Sequence, residues 1–337
     1  MNVLAVRQDN NGDVLLCGPA LRALAAAADE LTLVCAPSGR AAADLLPGVA
    51  RVECWEAAWI AAEPQPVSRA ALEAYVQRVA ALRVDRAFVF TSFHQSPLPA
   101  ALLLRMAGVP WIAAISEDYP GSLLDLRRRG VPDDIHEVER ALSLVRAAGF
   151  ALPPHDDARL AMRVAECNPL PPGRPYVVVH PGATVPARAW SPAANRALVA
   201  ALAARGERVI VTGSPTEREL CAFVAGEEAA DACGTTSFAQ LARVIADAEA
   251  IVVGNTGAAH VAAAVGTPVV SLFAPTIPAA RFRPWMVAHE LLGDQQIDCR
   301  GCRARICPRE AQACLETVRV DDVLAALERL RAGVVAA

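Results

Sequence analysis

Short apolar runs alternate along the chain with longer runs in which apolar positions follow a helical period. In the first half the short runs are rich in Val, Leu, Ile and Phe, as buried strands are. They lie at residues 3–6, 31–35, 49–54, 87–90 and 111–115. Between them, apolar positions spaced by three or four residues predict helices at 14–28, 69–82 and 98–107.

The second half of the chain repeats this alternation. Strands are predicted at 176–180, 208–212, 250–253 and 269–273. Helices are predicted at 192–204, 216–225, 238–246 and 258–265. Continuous apolar strands with helices between them are typical of parallel sheets that are covered on both faces. The pattern therefore predicts an α/β protein with two doubly wound domains.

A proline-rich segment separates the two halves. Residues 168–175 (NPLPPGRP) hold four prolines, which disfavour regular structure. We therefore predict an N-terminal domain at 1–167, a linker at 168–175 and a C-terminal domain at 176–320. A last amphipathic run predicts a helix within 321–337. In one arrangement this helix packs back onto the first domain. Ligands of doubly wound sheets bind beyond the carboxyl ends of the strands, so we expect the site in the interdomain cleft.

Composition and charge exclude several classes of protein. Hydrophobic residues make up 54% of the chain and charged residues 20%, which is typical of a folded protein rather than a disordered one. The net charge of -4 argues against a nucleic-acid partner, which would favour a basic surface. All 32 basic residues are arginines, so any phosphate clamp must use Arg or backbone amides.

The start of the chain predicts a buried strand rather than a secretory signal, because residues 1–6 lack a basic segment followed by a long apolar one. The alanine-rich run at 23–28 is too short to span a membrane. We expect a cytoplasmic protein, whose 10 cysteines are then mostly reduced.

A glycine-bracketed loop follows the predicted strand at 250–253. Residues 254–260 (GNTGAAH) lead from this strand into a helix of small residues. The glycines allow close approach of a ligand, and the free N–H groups of the helix start suit a diphosphate. The alternative is an ordinary turn in which Thr256 caps the helix and His260 is structural.

Two further loops hold candidate ligand-binding residues. Residues 180–184 (HPGAT) follow a strand, and Thr184 and Arg188 are candidates for contacting phosphate. The alternative is a loop shaped by Pro and Gly, with a solvated Arg. Glu217 follows the strand at 208–212 and is a candidate for ribose hydroxyls, or a first-turn helix carboxylate.

Asp13 lies between the first strand and the first helix, at the carboxyl edge of the first predicted sheet. It is a candidate general base. The alternative is a helix N-cap, because Asp before an apolar helical run often caps it.

Four cysteines near the end of the chain, spaced C-x2-C-x4-C-x6-C, are candidate ligands of a structural zinc or iron ion. Free thiols or a redox-labile disulfide are the alternatives. The four clustered cysteines are Cys299, Cys302, Cys307 and Cys314.

Other cysteines, such as Cys17, Cys35 and Cys233, lie in apolar runs and are predicted to be buried in the core.

Several nucleotide-binding motifs are missing from the sequence. No G-x-G-x-x-G follows the first strand, and no G-x4-G-K-[ST] occurs, so neither a dinucleotide site nor a P-loop is supported. No D-x-D occurs in a suitable loop to chelate a metal-bound diphosphate. Arg and helix N-termini are therefore expected to neutralise a diphosphate leaving group.

Five motifs in order resemble those of glycosyltransferase family 9, the ADP-heptose:lipopolysaccharide heptosyltransferases, over nearly the whole chain. They are residues 11–21 (NGDVLLCGPAL), 180–192 (HPGATVPARAWSP), 213–217 (GSPTE), 254–264 (GNTGAAHVAAA) and 266–276 (GTPVVSLFAPT). The cysteine cluster also recurs in many members.

The resemblance implies a GT-B fold of two Rossmann-like domains and inverting transfer of a heptose from ADP-heptose, with no cofactor required for catalysis. The acceptor would be a glycan or lipid-linked molecule, such as lipopolysaccharide core, with peripheral association at the cytoplasmic face of the inner membrane. Asp13 matches the catalytic base of the family. The donor-binding positions match Thr184 and Arg188 at the diphosphate, Glu217 near the ribose, and Asn255, Thr256, Gly257 and His260 in the donor loop.

The chain departs from the family pattern at Asn255, where many members carry Asp. Asn removes a negative charge beside the donor and can donate as well as accept hydrogen bonds. Another nucleotide sugar, a protein or small-molecule acceptor, and a sugar-nucleotide epimerase of the same fold are therefore alternatives. A non-enzymatic nucleotide-binding protein is a further one.

Overall fold

The computed structural model describes residues 1–61, 63–92, 94–309 and 313–333. The chain divides into two units, Met1–Ala161 and Met162–Ala337. Over the described residues, each unit is built on one six-stranded parallel sheet with helices between its strands. The predicted α/β class is confirmed.

The first unit has strand order β3-β2-β1-β4-β5-β6. Its strands are β1 Asn2–Arg7, β2 Glu30–Cys35, β3 Arg51–Cys54, β4 Arg86–Phe90, β5 Ile112–Ile115 and β6 Leu126–Arg128. Its helices are α1 Asn11–Leu16, α2 Gly18–Ala25, α3 Arg40–Ala43, α4 Arg69–Ala81, α5 Leu98–Met106 and α6 Glu137–Ala147.

The second unit has strand order β12-β11-β10-β7-β8-β9. Its strands are β7 Tyr176–His180, β8 Arg208–Val211, β9 Ala230–Asp231, β10 Ala250–Gly254, β11 Val269–Leu272 and β12 His289–Leu292. Its helices are α7 Pro192–Ala204, α8 Arg218–Ala225, α9 Phe238–Ala246, α10 Gly257–Val265, α11 Ala279–Phe282, α12 Ala313–Glu316 and α13 Val320–Arg331.

Both sheets have the same topology when their strands are counted from the start of each unit. The first strand of each unit pairs with the second on one side and with the fourth on the other, in parallel: β1 with β2 and β4, and β7 with β8 and β10. This is the strand order of doubly wound folds, in which successive strands are added toward one side of the first strand and then, from the fourth strand on, toward the other. The loops after β1 and β4, and after β7 and β10, therefore lie where such folds bind ligands.

The core of the second unit includes the last helix. Val323, Leu324 and Leu327 of α13 are buried in the same apolar cluster as Val177 and Val252 of the sheet. The helix predicted near 321–330 is present, and its apolar face is buried within the second unit. Residues 334–337 lie outside the described residues.

The proline-rich segment 168–175 forms no helix or strand, as its composition predicts. The division between the units is observed earlier, between Ala161 and Met162. The domain limits 1–167, 168–175, 176–320 and 321–337 stay predictions.

One predicted helix is wrong in its extent. The run at 14–28 forms two helices, α1 and α2, separated by Cys17. Pro19 explains the break, because its ring has no N–H to donate to the preceding turn and is tolerated only in the first turn of a new helix. The sequence interpretation also missed β6, α6 and β12. Among the described residues, no helix has both the length and the apolar character needed to cross a bilayer.

Candidate functional site

A buried cation lies at the carboxyl end of β1, beside the candidate base. Arg7 is 3% exposed, and its Nη2 lies 3.2 Å from Asp13 Oδ1. The same nitrogen donates to Ser92 Oγ at 3.0 Å, in the loop after β4. Arg7 Nε lies 2.9 Å from Asp9 Oδ2. Two carboxylates therefore share one guanidinium at the topological switch point of the first unit.

Asp13 is not a helix cap. The N-cap of α1 is Asn10, and Asp13 is the third residue of the helix. The interpretation of Asp13 as N-cap is wrong, because the helix starts three residues earlier than the apolar run suggested. Its side chain pairs with Arg7 instead, and the first turn of a helix favours the ionised carboxylate.

The candidate donor-binding residues lie after three neighbouring strands of the second unit. Thr184 and Arg188 follow β7, Glu217 follows β8, and residues 255–260 follow β10. Since β10, β7 and β8 are adjacent and parallel, these loops lie at one edge of the sheet. The structure thus places Thr184, Arg188 and residues 255–260 at the switch point of the second unit. Glu217 lies in the neighbouring loop, at the same carboxyl end of the sheet.

Arg188 contacts the loop after β10 through its backbone. A Cβ atom at Gly254 would meet the carbonyl oxygen of Arg188 at 2.8 Å, so only glycine allows this approach. The Arg188 side chain donates from Nε to Thr276 Oγ1 at 3.2 Å. Thr184, in contrast, is exposed. The backbone of Arg188 thus lies beside Gly254, and its guanidinium is held at Thr276, after β11.

Two buried oxygens of the same loop lack hydrogen-bond partners among the described residues. Thr256 occupies the N-cap position of α10, but its side chain makes no capping bond, and its Oγ1 is buried and unpartnered. Asn255 is 6% exposed; its Nδ2 donates to Ala274 O at 3.5 Å, and its Oδ1 is unpartnered. Buried polar atoms of this kind are costly unless a ligand satisfies them.

The hydrogen bond to Ala274 also orients the amide of Asn255. The amide nitrogen has a second N–H besides the one directed at Ala274 O, and Oδ1 has no partner among the described residues. Oδ1 can therefore accept from a ligand, and the expectation that Asn255 both donates and accepts toward the donor stays a prediction. His260 is 6% exposed on the buried side of α10.

Glu217 has a structural role as a cap. Its Oε2 accepts hydrogen bonds from Ser214 N at 2.8 Å and from Ser214 Oγ at 2.7 Å. Its other oxygen packs against Gly182 in the loop after β7. Nearby, His180 Nδ1 is 3.0 Å from Thr212 Oγ1, and burial lowers the pKa of His180. The interpretation of Glu217 as a helix-start carboxylate thus holds, and its contact with ribose stays a prediction.

Replacing Gly182 with Ala is expected to lower the free energy of unfolding by about 1–3 kcal/mol, the usual cost of overpacking. The new Cβ would lie 1.9 Å from Glu217 Oε1, so the carboxylate must leave its bonds to Ser214. Chemical denaturation measures the loss. Gly18→Ala is the matched control, because its Cβ would meet Leu46 at an ordinary 3.5 Å; equal stabilities of G182A and wild type would contradict this account.

A cavity of about 920 Å³ borders these loops within the second unit. Its walls include Ala183, Trp190, Thr216 and Glu217. A cavity of this volume is large enough for a nucleoside. Trp190 is 4% exposed and belongs to the core of the unit, so it packs beneath the loop after β7.

The cysteine-bearing segment is docked against Arg188 and its neighbours. Gly301 N donates to Pro275 O at 2.7 Å, Arg303 N to Thr276 O at 2.9 Å, and Ala187 N to Arg305 O at 3.0 Å. The segment is thereby tied to the residues on either side of the Arg188–Thr276 contact.

The four clustered thiols do not form a metal site in this geometry. They line one small cavity, and burial, followed by the neighbouring thiols, raises the pKa of Cys314. No group of three or more His, Cys, Asp or Glu side chains within the described ranges is placed to hold a metal ion, whereas a structural zinc takes four ligands. The predicted metal at Cys299, Cys302, Cys307 and Cys314 is therefore not supported. Cys17, Cys35 and Cys233 are buried, as predicted.

The sequence interpretation missed Arg7, Ser92 and Thr276. A signal for Arg7 was present, because a charged residue ends an otherwise apolar buried strand directly before the Asp13 loop. Ser92 and Thr276 carry no comparable signal, since a single hydroxyl after a strand is common in loops.

The candidate donor-binding residues lie within a stretch that a known family covers, whereas Arg7, Asp9 and Asp13 precede it. The sequence profile of glycosyltransferase family 9 (heptosyltransferase) matches residues 83–312, which is more than half of the chain. The chain belongs to glycosyltransferase family 9. The resemblance drawn from the five motifs is thereby confirmed.

Two curated relatives of the family 9 chain are lipopolysaccharide heptosyltransferases. Lipopolysaccharide heptosyltransferase 1 of Pseudomonas aeruginosa is 35% identical over 193 residues, which cover 55% of this chain and 54% of that protein. The match thus spans about half the length of that relative. Lipopolysaccharide heptosyltransferase 1 of Escherichia coli K12 is 28% identical over 333 residues, covering 94% of this chain and 98% of that protein.

A solved structure supports the fold. Escherichia coli ADP-heptose lipopolysaccharide heptosyltransferase II has a TM-score of 0.77 with this chain at 21% identity, and the match covers 99% of both chains. The predicted GT-B fold is confirmed by this similarity and by the two parallel sheets. The roles of Asp13 and of the candidate donor-binding residues stay predictions.

Proposed function

We propose that the protein transfers a heptose from ADP-heptose to a glycan acceptor of the lipopolysaccharide-core type, with inversion at the anomeric carbon. Membership in glycosyltransferase family 9 and the names of its relatives support this reaction. The proposal includes a cytoplasmic protein that associates peripherally with the inner membrane, where a lipid-linked acceptor is held.

One observation carries the donor site. The buried, unpartnered oxygens of Asn255 and Thr256 lie at the start of α10, in a loop whose backbone touches that of Arg188. The N-terminus of a helix offers N–H donors and partial positive charge to a diphosphate. A guanidinium adds paired donors to phosphate oxygens. A nucleoside diphosphate would satisfy these groups together.

The proposed reaction is a single displacement. The acceptor oxygen forms a bond to the anomeric carbon, the bond from that carbon to the phosphate oxygen breaks, and ADP leaves with the bonding electrons. Asp13 takes the proton of the acceptor hydroxyl as its oxygen attacks. Arg188 and the start of α10 stabilise the charge that develops on the leaving diphosphate.

Asn255 is the proposed contact of the donor sugar. Its Oδ1 accepts from a sugar hydroxyl, while Nδ2 stays on Ala274 O. An acceptor oxygen suffices for a hydroxyl donor, so the neutral amide replaces the carboxylate of other family members without reversing the direction of the hydrogen bond. This supports the same heptose donor.

Donor binding tests the proposal. Calorimetry with ADP-heptose and with GDP-, UDP- and dTDP-sugars is expected to give saturable binding for ADP-heptose and much weaker binding for the others. Absence of binding by every ADP-sugar would remove the proposed donor.

Thr256→Val is expected to weaken ADP-heptose binding roughly 10-fold or more, because a hydrogen bond to a charged phosphate is lost. The stability of the unliganded protein is expected to stay level or rise, because a buried, unpartnered hydroxyl is replaced by an apolar group of the same shape. Calorimetry and chemical denaturation measure the two effects.

Thr267→Val is the matched control for this substitution. Thr267 Oγ1 donates to Ile245 O at 2.7 Å and is buried, so this variant loses stability while donor affinity is retained. If Thr256→Val lost stability and kept donor affinity, Thr256 would be a structural cap and the donor-loop assignment would be wrong.

A further inference from the structure

Arg7 is buried beside two carboxylates whose surroundings differ. The Asp9 side chain is 12% exposed and that of Asp13 is 23% exposed. A cation as buried as Arg7 is tolerated only with a charged or hydrogen-bonded partner. One carboxylate would be enough for charge balance, so the second needs a separate explanation.

The Arg7–Asp9 pair is anchored independently of Asp13. Gln95 Nε2 donates to Asp9 Oδ1 at 2.7 Å, and Gln95 Oε1 accepts from Ser92 N at 3.0 Å. Arg7 Nη2 donates to Ser92 Oγ at 3.0 Å. The guanidinium is therefore fixed by the loops after β1 and β4 before Asp13 is considered.

We propose that Arg7 is a positioning residue for Asp13, holding its carboxylate oriented and ionised for proton abstraction while Asp9 keeps the guanidinium paired. The inference rests on the proposed function. When Asp13 takes the acceptor proton, Arg7 loses one negative partner and retains Asp9. The buried cation thus stays compensated through the proton transfer, which a single Arg–Asp pair would not allow.

Other ionisable groups lie around Arg7. Glu137 and Arg140 of α6 are buried and line the same small cavity as Arg7. Cys17, after α1, is a neutral thiol, because burial raises its pKa to about 12. These groups are unchanged in each variant below, so differences between pH profiles report on Arg7, Asp9 and Asp13.

The test is the pH dependence of kcat/KM for heptosyl transfer by the full chain. Arg7→Met is expected to lower kcat by about 10²-fold. The acid limb, which is the fall of kcat/KM at low pH as the base becomes protonated, is expected to move to higher pH, because Asp13 loses a neighbouring positive charge. Arg7→Lys keeps the charge, and is expected to restore the position of the limb and part of the rate. Donor affinity by calorimetry stays unchanged in both.

Asp9→Asn is expected to shift the acid limb in the opposite direction, and it provides a second test if Arg7→Met does not fold. With the charge of Asp9 removed, Asp13 is the carboxylate that remains paired with the guanidinium, so the acid limb moves to lower pH. Arg22→Met is the matched control: it breaks a half-buried pair with Asp156, at 2.5 Å, and is expected to lower stability without moving the limb.

The outcomes separate this inference from the proposed function. Wild-type protein that transfers heptose, together with an acid limb that Arg7→Met or Asp9→Asn leaves in place, overturns the positioning role alone. Wild-type protein that transfers no sugar from any ADP-sugar overturns the proposed function. A limb that moves equally in Arg22→Met assigns the shift to stability and also overturns the positioning role.

Discussion

Asp13→Asn is expected to lower kcat by about 10²- to 10⁴-fold, the range that a positioned general base contributes. Asn has nearly the same shape as Asp but cannot take a proton from the acceptor hydroxyl. Arg7 keeps its ion pair with Asp9 at 2.9 Å, so the substitution leaves the buried cation compensated and the fold intact. Steady-state kinetics with ADP-heptose measures the change, and thermal denaturation checks the fold.

Donor affinity is expected to survive this substitution. Asp13 belongs to the first unit, whereas the candidate donor-binding residues belong to the second. Asp44→Asn is a control in the first unit, because Asp44 forms an exposed i,i+4 pair with Arg40. Turnover at the wild-type rate in Asp13→Asn would show that another group is the base.

Arg188→Met is expected to weaken ADP binding by about 10- to 100-fold, as loss of hydrogen bonds between a cation and phosphate does. The guanidinium is positioned for this role by its bond to Thr276 Oγ1 at 3.2 Å. The salt dependence of ADP affinity is expected to become shallower as well, because one charge contact has gone. Calorimetry at low and high ionic strength measures both effects.

Two further variants serve as controls for Arg188→Met. Arg188→Lys keeps the positive charge and is expected to retain most of the affinity. Arg243→Met removes an Arg from an i,i+4 surface pair with Asp247 on α9 and is expected to leave ADP binding unchanged. ADP affinity equal to wild type in Arg188→Met would exclude Arg188 from the donor site.

Much of the fold could be predicted from the sequence, because the strands are buried on both faces and read as continuous apolar runs. Residues 176–180, for example, were predicted to be a strand and form β7. The helix predicted at 192–204 forms α7, and at its start Ser191 Oγ accepts from Ala194 N at 3.1 Å. Local signals of this kind need no knowledge of distant contacts.

Elements without a continuous apolar run were missed. The strand β6 (Leu126–Arg128) contains two arginines, and it is a strand only because it pairs with β5 at the edge of the sheet. The break between α1 and α2 was likewise missed, since the apolar period continues across Pro19. Such features depend on tertiary pairing or on one backbone N–H, which periodicity does not report.

The site was predicted as a set of loops, and its connections were not. Motif order identified Arg188, Thr256 and Asp13 as candidates. The backbone approach of Gly254 to Arg188 and the Arg7–Asp13 ion pair depend on how the chain folds, which the motifs do not report. The cysteine spacing brings the four thiols to one small cavity, but no group of three or more metal-ligating side chains is found among the described residues, so the predicted metal is not supported.

An assay of heptose transfer is the most direct test of the proposed function. The full chain is incubated with ADP-heptose and heptose-deficient lipopolysaccharide, and the product is analysed by mass spectrometry and NMR. The account predicts that the acceptor gains the mass of a heptosyl residue, that one ADP is released for each residue transferred, and that the anomeric configuration is inverted. Failure to transfer heptose from ADP-heptose, or transfer with retained configuration, would contradict it.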